Sequence, residues 1–144
     1  MTPAFSVGVR LHDLPAGSVE QRIRMAGELG FACIQLPSKV LYQSYGIGRE
    51  GLTRELACRL REVLGESGVH VAVLGCYKNL ATPDAAQLAD NLGEYRACLR
   101  FAGWLGGCPV GTETGRPNPK NAVADDRFGE GALNAFCGGL ANDC

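Results

Sequence analysis

Four polar side chains follow apolar runs of this sequence, at positions where parallel strands would end: His12, Tyr77, Asn79 and Glu113. A carboxylate such as Glu113 can contact a ligand or move a proton, and a phenol or an amide can hydrogen-bond hydroxyl groups. His12 is followed by Asp13, which could orient the imidazole for proton transfer or metal binding. These residue types suit a hydroxyl-rich small molecule as ligand.

Each candidate also has an ordinary structural explanation. Glu113 could be a solvated loop charge, and His12 could form a surface pair with Asp13. Tyr77 and Asn79 could serve a turn before the next helix, a role in which asparagine is common. The sequence leaves both explanations open for all four residues.

A repeat predicts the elements that position these residues. Gly30, Gly68 and Gly106 are spaced 38 residues apart, and each closes an amphipathic stretch and opens a short apolar run. A first apolar run covers Phe5–Leu11, and the fourth predicted strand covers Cys108–Thr112. Strands that alternate with helices pair in parallel, because only a crossover returns the chain in the same direction.

Helix signals agree with this repeat. The first helix should begin at Ser18, which can form a capping box with Gln21 three residues later. A second is predicted from about residue 52 to 66, and a third from the cap Thr82-Pro83-Asp84 to about residue 104. A fourth over 125–141 is weakened by four glycines.

Composition predicts one domain over residues 1–144, with 46% hydrophobic and 20% charged residues and a net charge of −1. Without a basic run, a bilayer-length apolar segment or a leader, we expect no nucleic-acid or membrane partner and a cytoplasmic location. The seven cysteines are odd in number and contain no C-x-x-C, so we interpret them as small buried hydrophobic residues.

Two α/β architectures fit this pattern: a small doubly wound sheet, or the first half of a (β/α)8 barrel. Chain length favours the doubly wound sheet, since a barrel typically needs about 250 residues. The loop after the first strand, Leu11–Ser18, is however unsuited to phosphate. A G-x-G-x-x-G pattern at residues 46–51 is weak evidence, because it lies about ten residues past the second strand, and we interpret it as a mobile loop.

Several segments decide between the two. Four segments resemble the N-terminal half of sugar phosphate isomerases and epimerases of the xylose-isomerase-like TIM-barrel superfamily. They are Leu74–Ala81, Val110–Gly115, Leu29–Leu36 and Phe101–Gly106. The resemblance covers residues 5 to about 121. It implies the first four β/α units of a barrel, a parallel sheet with helices on its outer face.

The resemblance also implies a chemistry, metal-assisted proton transfer on a keto or aldo sugar or a sugar phosphate. The divalent metal (Mn, Mg, Zn or Co) would be held by ligands on strands five to eight, which this sequence does not contain. This chain would supply a substrate-side wall, and its two open sheet edges predict a homo-oligomer or completion by another chain. Arg116 and Lys120 could meet a phosphate. The alternatives are a non-catalytic half-barrel binding module and, third, a doubly wound nucleotide-binding domain.

Overall fold

The computed structural model describes residues 5–113 and, beyond them, residues 134, 137, 138 and 141. Strands and helices alternate along the described chain, and short 3-10 turns occupy Leu11–Asp13 and Arg49–Gly51. In chain order the elements are β1 Gly8–Arg10, α1 Val19–Glu28, β2 Cys33–Pro37, α2 Ser38–Tyr45, α3 Arg54–Ser67, β3 His70–Asn79, α4 Ala85–Trp104 and β4 Val110–Glu113.

The strands form one four-stranded parallel sheet in the order β1-β2-β3-β4. Cys33 of β2 lies opposite Gly8 of β1 and opposite His70 of β3, and an irregularity in the β2–β3 register follows Ile34. A doubly wound sheet reverses its strand order at a switch point, whereas a barrel adds strands consecutively. The consecutive order confirms the half-barrel prediction and differs from the order of a doubly wound sheet.

Helices α1 and α2 both contact β2 of this sheet. Ile34, Leu36 and Leu74 are fully buried, as are Ile23 of α1 and Leu60 of α3. Burial of each such side chain contributes about 1.5–3 kcal/mol. Because side chains alternate between the faces of a strand, the residues between these positions lie on the opposite face.

Local signals account for two helices. At the start of α1, the Gln21 N–H donates to Ser18 Oγ at 3.2 Å and the Ser18 N–H donates to Gln21 Oε1 at 2.9 Å, which confirms the predicted capping box. Thr53 Oγ1 caps α3 by accepting from the Leu56 N–H at 3.3 Å. Gly68 ends α3 with a φ of 64°, a left-handed conformation that favours glycine.

One helix was missed and two boundary predictions were wrong. The sequence analysis assigned no element to Ser38–Tyr45, which is helix α2. The last long helix begins at Ala85, because Asp84 Oδ1 accepts from the two N–H groups that follow Ala85, so the cap is Asp84 and not Thr82. Strand β3 extends to residue 79, and it therefore contains two residues that were expected in a loop.

The cysteine prediction holds in part. Cys76 and Cys98 are buried, but Cys58 and Cys137 are exposed. No helix within the described residues has the length and apolar character needed to cross a membrane. Arg116 and Lys120 lie outside the described residues, as does nearly all of the predicted helix 125–141.

The described chain groups into two compact units. The first contains the residues up to Cys76 together with Ala97–Gly111, and the second contains Tyr77–Arg96 and the described residues from Thr112 onward. The first unit holds β1, β2, α1, α2 and α3, and the second holds the carboxyl ends of β3 and β4. The prediction of a single domain over 1–144 stays a prediction.

Candidate functional site

In the first unit, His12 lies in the 3-10 turn directly after β1, as the sequence predicted. Its Nε2 is 3.7 Å from Asp13 Oδ1, beyond hydrogen-bond distance. Asp13 instead accepts from Arg10, at 2.7 Å from Nε to Oδ2 and 3.1 Å from Nη2 to Oδ1. The carboxylate is therefore engaged by a guanidinium that the sequence analysis did not consider, although the i, i+3 spacing was visible.

In the second unit, Tyr77 and Asn79 occupy the carboxyl end of β3. Tyr77 is 48% exposed. Asn79 Oδ1 accepts from the Ala81 N–H at 3.0 Å, and its backbone carbonyl accepts from Asn91 Nδ2 at 2.7 Å. Asn79 thus has the turn role that the sequence offered as its structural explanation.

Glu113 is the last residue of β4 and is exposed. Next to it, Thr112 Oγ1 donates to the Lys78 carbonyl at 3.5 Å, which joins the ends of β3 and β4. Lys78 Nζ is 3.9 Å from Glu94 Oε1 of α4. The second unit therefore brings Tyr77 and Glu113 to adjacent strand ends, with the Lys78 charge paired to the helix behind them.

A polar cluster that the sequence analysis missed joins three helices of the first unit. Glu20 Oε1 of α1 accepts from the Tyr45 hydroxyl of α2 at 2.9 Å and lies 3.4 Å from Arg59 Nε of α3. The Arg59 guanidinium also lies over the Tyr45 ring, 5.2 Å from its centroid. Burial and the hydrogen bond to Glu20 raise the pKa of Tyr45 to about 12.

This cluster borders a cleft of about 440 Å³ beside the G-x-G-x-x-G segment. Two N–H groups of that segment are engaged within it: the Gly48 N–H donates to Glu50 Oε1 at 3.1 Å and the Gly51 N–H to the Gly48 carbonyl at 3.0 Å. These two glycine N–H groups are therefore already paired and do not point to a phosphate. The cleft is lined by Tyr45, Ile47, Gly51, Thr53, Glu55, Leu56 and Arg59.

No protein-family model matches the sequence, and no curated protein matches it. Solved structures do. The structure of a D-psicose 3-epimerase determined in the presence of D-fructose superposes on this chain with a TM-score of 0.69 at 16% sequence identity. The match covers 96% of this chain and 47% of the epimerase chain. The chain has the fold of half a TIM barrel.

Two further structures agree with this half-barrel. The D-psicose 3-epimerase of Clostridium cellulolyticum H10 with D-tagatose gives a TM-score of 0.73 at 14% identity, with 96% and 47% of the two chains covered. A xylose isomerase domain protein from Planctomyces limnophilus gives 0.60 at 18%, with 99% and 52% covered. The half-barrel thus spans about half the length of the structures it matches.

Proposed function

We propose that this half-barrel forms the substrate-side wall of a sugar isomerase or epimerase site. The observation that carries the proposal is the consecutive parallel order of the strands, with polar side chains at their carboxyl ends. In (β/α)8 barrels, ligands bind at that end of the strands. The similarity to structures of D-psicose 3-epimerase, named with D-fructose and D-tagatose, makes a ketohexose the substrate class to test first.

The second unit supplies the two residues best suited to contact the sugar. Tyr77 is about half exposed, and a phenol can donate to or accept from a sugar hydroxyl. Glu113 presents an exposed carboxylate at the neighbouring strand end, where it can accept from hydroxyls or hold a proton. Asn79 contributes by shaping the turn behind Tyr77, since its side-chain oxygen is committed to the Ala81 N–H.

In the first unit, His12 is proposed by itself as a hydroxyl-binding residue after β1. Its own carboxylate neighbour is bound by Arg10, so Asp13 does not orient the imidazole through a direct hydrogen bond. We therefore assign His12 to hydroxyl binding and not to a carboxylate–histidine proton relay.

The described residues do not by themselves fit a divalent metal. Nowhere in the described part of the chain do three or more His, Cys, Asp or Glu side chains come together in a way that could hold an ion. A catalytic metal usually has three protein ligands. We therefore assign no residue of this chain to a metal and derive no step through one. This disagreement favours a second candidate function, a half-barrel that binds a sugar without turning it over.

Titration of the 144-residue chain with D-fructose and D-tagatose, followed by NMR, tests sugar binding. Each lost hydrogen bond should weaken binding about tenfold, so Tyr77→Phe and Glu113→Gln should each raise the dissociation constant by about that factor. His70→Asn is the matched control, because His70 begins β3 at the opposite end of the strand. Equal weakening in the control, or no binding by the wild type, would refute the site.

A turnover assay separates the two candidates. The chain is incubated with each ketohexose and Mn²⁺, and the products are separated by chromatography. Formation of an epimer or aldose that is lost in Glu113→Gln supports the enzyme. Binding without turnover supports the sugar-binding half-barrel. Parallel titrations with D-fructose 6-phosphate decide whether the ligand carries a phosphate.

A further inference from the structure

The cleft of about 440 Å³ between the end of α2 and the start of α3 has no role in the proposed function. All the residues that line it belong to the first unit. Its volume lies within the range of about 300–1,000 Å³ that is usual for small-molecule sites. The cleft is therefore large enough for a small organic ligand.

Backbone contacts fix one wall of the cleft. Ile47 packs against Gly51 so closely that a Cβ at Gly51 would lie 2.5 Å from Ile47 Cβ. Gly46 ends α2 in a left-handed conformation, and the Ile47 N–H then donates to the Tyr42 carbonyl at 3.2 Å. Ile47 and Leu56 are both half-buried, and they give the cleft an apolar surface in a defined position.

Arg59 borders the cleft with its guanidinium already oriented. Its Nε lies 3.4 Å from Glu20 Oε1, and its guanidinium carbon lies 5.2 Å from the centroid of the Tyr45 ring. A guanidinium carries five N–H donors in a planar fork, which is more than one carboxylate oxygen and one phenol can accept. The fork is therefore held in place with donors to spare, an arrangement that suits recognition of a carboxylate.

Glu55 gives the cleft an opposite charge. It is exposed and lies four residues before Arg59 in α3, which places both side chains on one face of the helix. That spacing favours an ion pair, yet among the described residues Arg59 forms its ion pair with Glu20. Hydrogen bonds from the Glu55 N–H and from the Thr53 hydroxyl hold the pKa of the Glu55 carboxyl below its ordinary value. The cleft thus has an anion and a cation about one helical turn apart.

We propose that this cleft binds a small zwitterion, an α-amino acid with an apolar side chain. The ligand carboxylate would accept from the Arg59 guanidinium, and the ligand ammonium would donate to Glu55. The apolar side chain would contact Ile47 and Leu56. A phosphate suits the cleft less well, because its negative charge would lie close to the Glu55 carboxylate. Binding at this cleft does not depend on the proposed sugar site.

NMR titration of the 144-residue chain with L-leucine and two analogues tests which charges of the ligand are recognised. The analogue 4-methylpentanoate lacks the ammonium, and 3-methylbutylamine lacks the carboxylate. Loss of the carboxylate should raise the dissociation constant about tenfold, because the oriented Arg59 fork loses its partner. Loss of the ammonium should raise it about threefold, since Glu55 is exposed and its ion pair is weakened by solvent.

Variants of α3 assign each ligand charge to a residue. Glu55→Gln should weaken L-leucine about threefold and leave 4-methylpentanoate unchanged, because only L-leucine carries the ammonium. Arg59→Lys keeps the charge beside Glu20 but loses the planar fork, so it should weaken both ligands about tenfold. Glu62→Gln and Arg61→Lys are the matched controls, since both residues are exposed on α3 and neither lines the cleft. Thermal unfolding without ligand shows whether each variant is folded.

Three outcomes would overturn the proposal. The first is a wild type that does not bind L-leucine. The second is Glu55→Gln with the same effect on L-leucine and on 4-methylpentanoate, or the same effect as Glu62→Gln, because Glu55 would then not contact the ammonium. The third is displacement of L-leucine by a lower concentration of inorganic phosphate or D-fructose, which would assign the cleft to an anion or to a sugar.

Discussion

Gly27 provides a direct test of how α1 packs against α3. It lies inside α1, where alanine is normally the better residue by about 1 kcal/mol. A Cβ at this position would collide with the backbone carbonyl oxygen of Ser67, the last residue of α3, and would lie 3.2 Å from Ser67 Cβ. Because the carbonyl belongs to a helix end, it cannot move away as a flexible side chain could.

The expected effect of Gly27→Ala on stability is the sum of the helix-propensity gain and the cost of the collision with Ser67. Overpacking of a fixed contact costs about 2–3 kcal/mol, which exceeds the helix-propensity gain of about 1 kcal/mol. We therefore expect a net destabilisation of about 1–2 kcal/mol. For a chain of this size, that lowers the melting temperature by about 4–8 °C.

Gly65→Ala is the matched control in α3. Among the described residues, and apart from its chain neighbours and its own helix backbone, no heavy atom lies within 4 Å of a Cβ built at Gly65. Only the propensity gain of about 0.5–1 kcal/mol should therefore remain. The two variants should differ by about 2–3 kcal/mol in urea unfolding followed by circular dichroism. If Gly27→Ala stabilises the protein as much as Gly65→Ala does, the close approach of α1 to α3 is refuted.

Two further predictions concern α1 and its partners. Ser18→Ala should lower the free energy of unfolding by about 1 kcal/mol, because the capping hydrogen bond to the Gln21 N–H is lost, and a loss below about 0.3 kcal/mol would contradict the capping box. Since the folded pKa of Tyr45 is raised from 10.0 to about 12, its stabilising contribution is complete below pH 10 and is lost as the pH rises through 12. Absorbance titration should therefore show one phenolate forming late, and Tyr45→Phe should remove that step and flatten the fall in stability. A Tyr45 phenol that titrates near pH 10 would contradict the hydrogen bond to Glu20.

Short-range signals in the sequence were sufficient for much of the fold. The Ser18–Gln21 capping box and the left-handed Gly68 are decided by residues within one helical turn, and both were visible in the sequence. The glycine spacing predicted alternating strands and helices, and chain connectivity then favours consecutive parallel neighbours. These signals left a doubly wound sheet and a half-barrel open, and the family resemblance favoured the half-barrel, whose consecutive order β1-β2-β3-β4 the structure has.

Helix α2 was missed for a local reason. It has eight residues, follows Pro37 directly and has no side chain that caps its first turn. Val40 and Leu41 are buried, but two adjacent apolar residues do not establish a helical period. Its clearest signal was Gly46, which ends the helix at a φ of 62°.

The candidate site was likewise predicted only in part from the sequence. Sequence alone placed His12, Tyr77, Asn79 and Glu113 at the ends of strands, because each follows or completes an apolar run. It did not reveal that Asp13 pairs with Arg10, or that Asn79 holds a turn. Those outcomes depend on which of several nearby groups a short side chain reaches.

Contacts between distant elements were decided only by the tertiary structure. Tyr45 and Glu20 are 25 residues apart, and their hydrogen bond requires α1 and α2 to meet at particular rotations about their axes. Arg59 joins them only because α3 packs beside α1. Sequence periodicity tells which face of a helix is buried, whereas side-chain packing sets the rotation and offset at which two such faces meet.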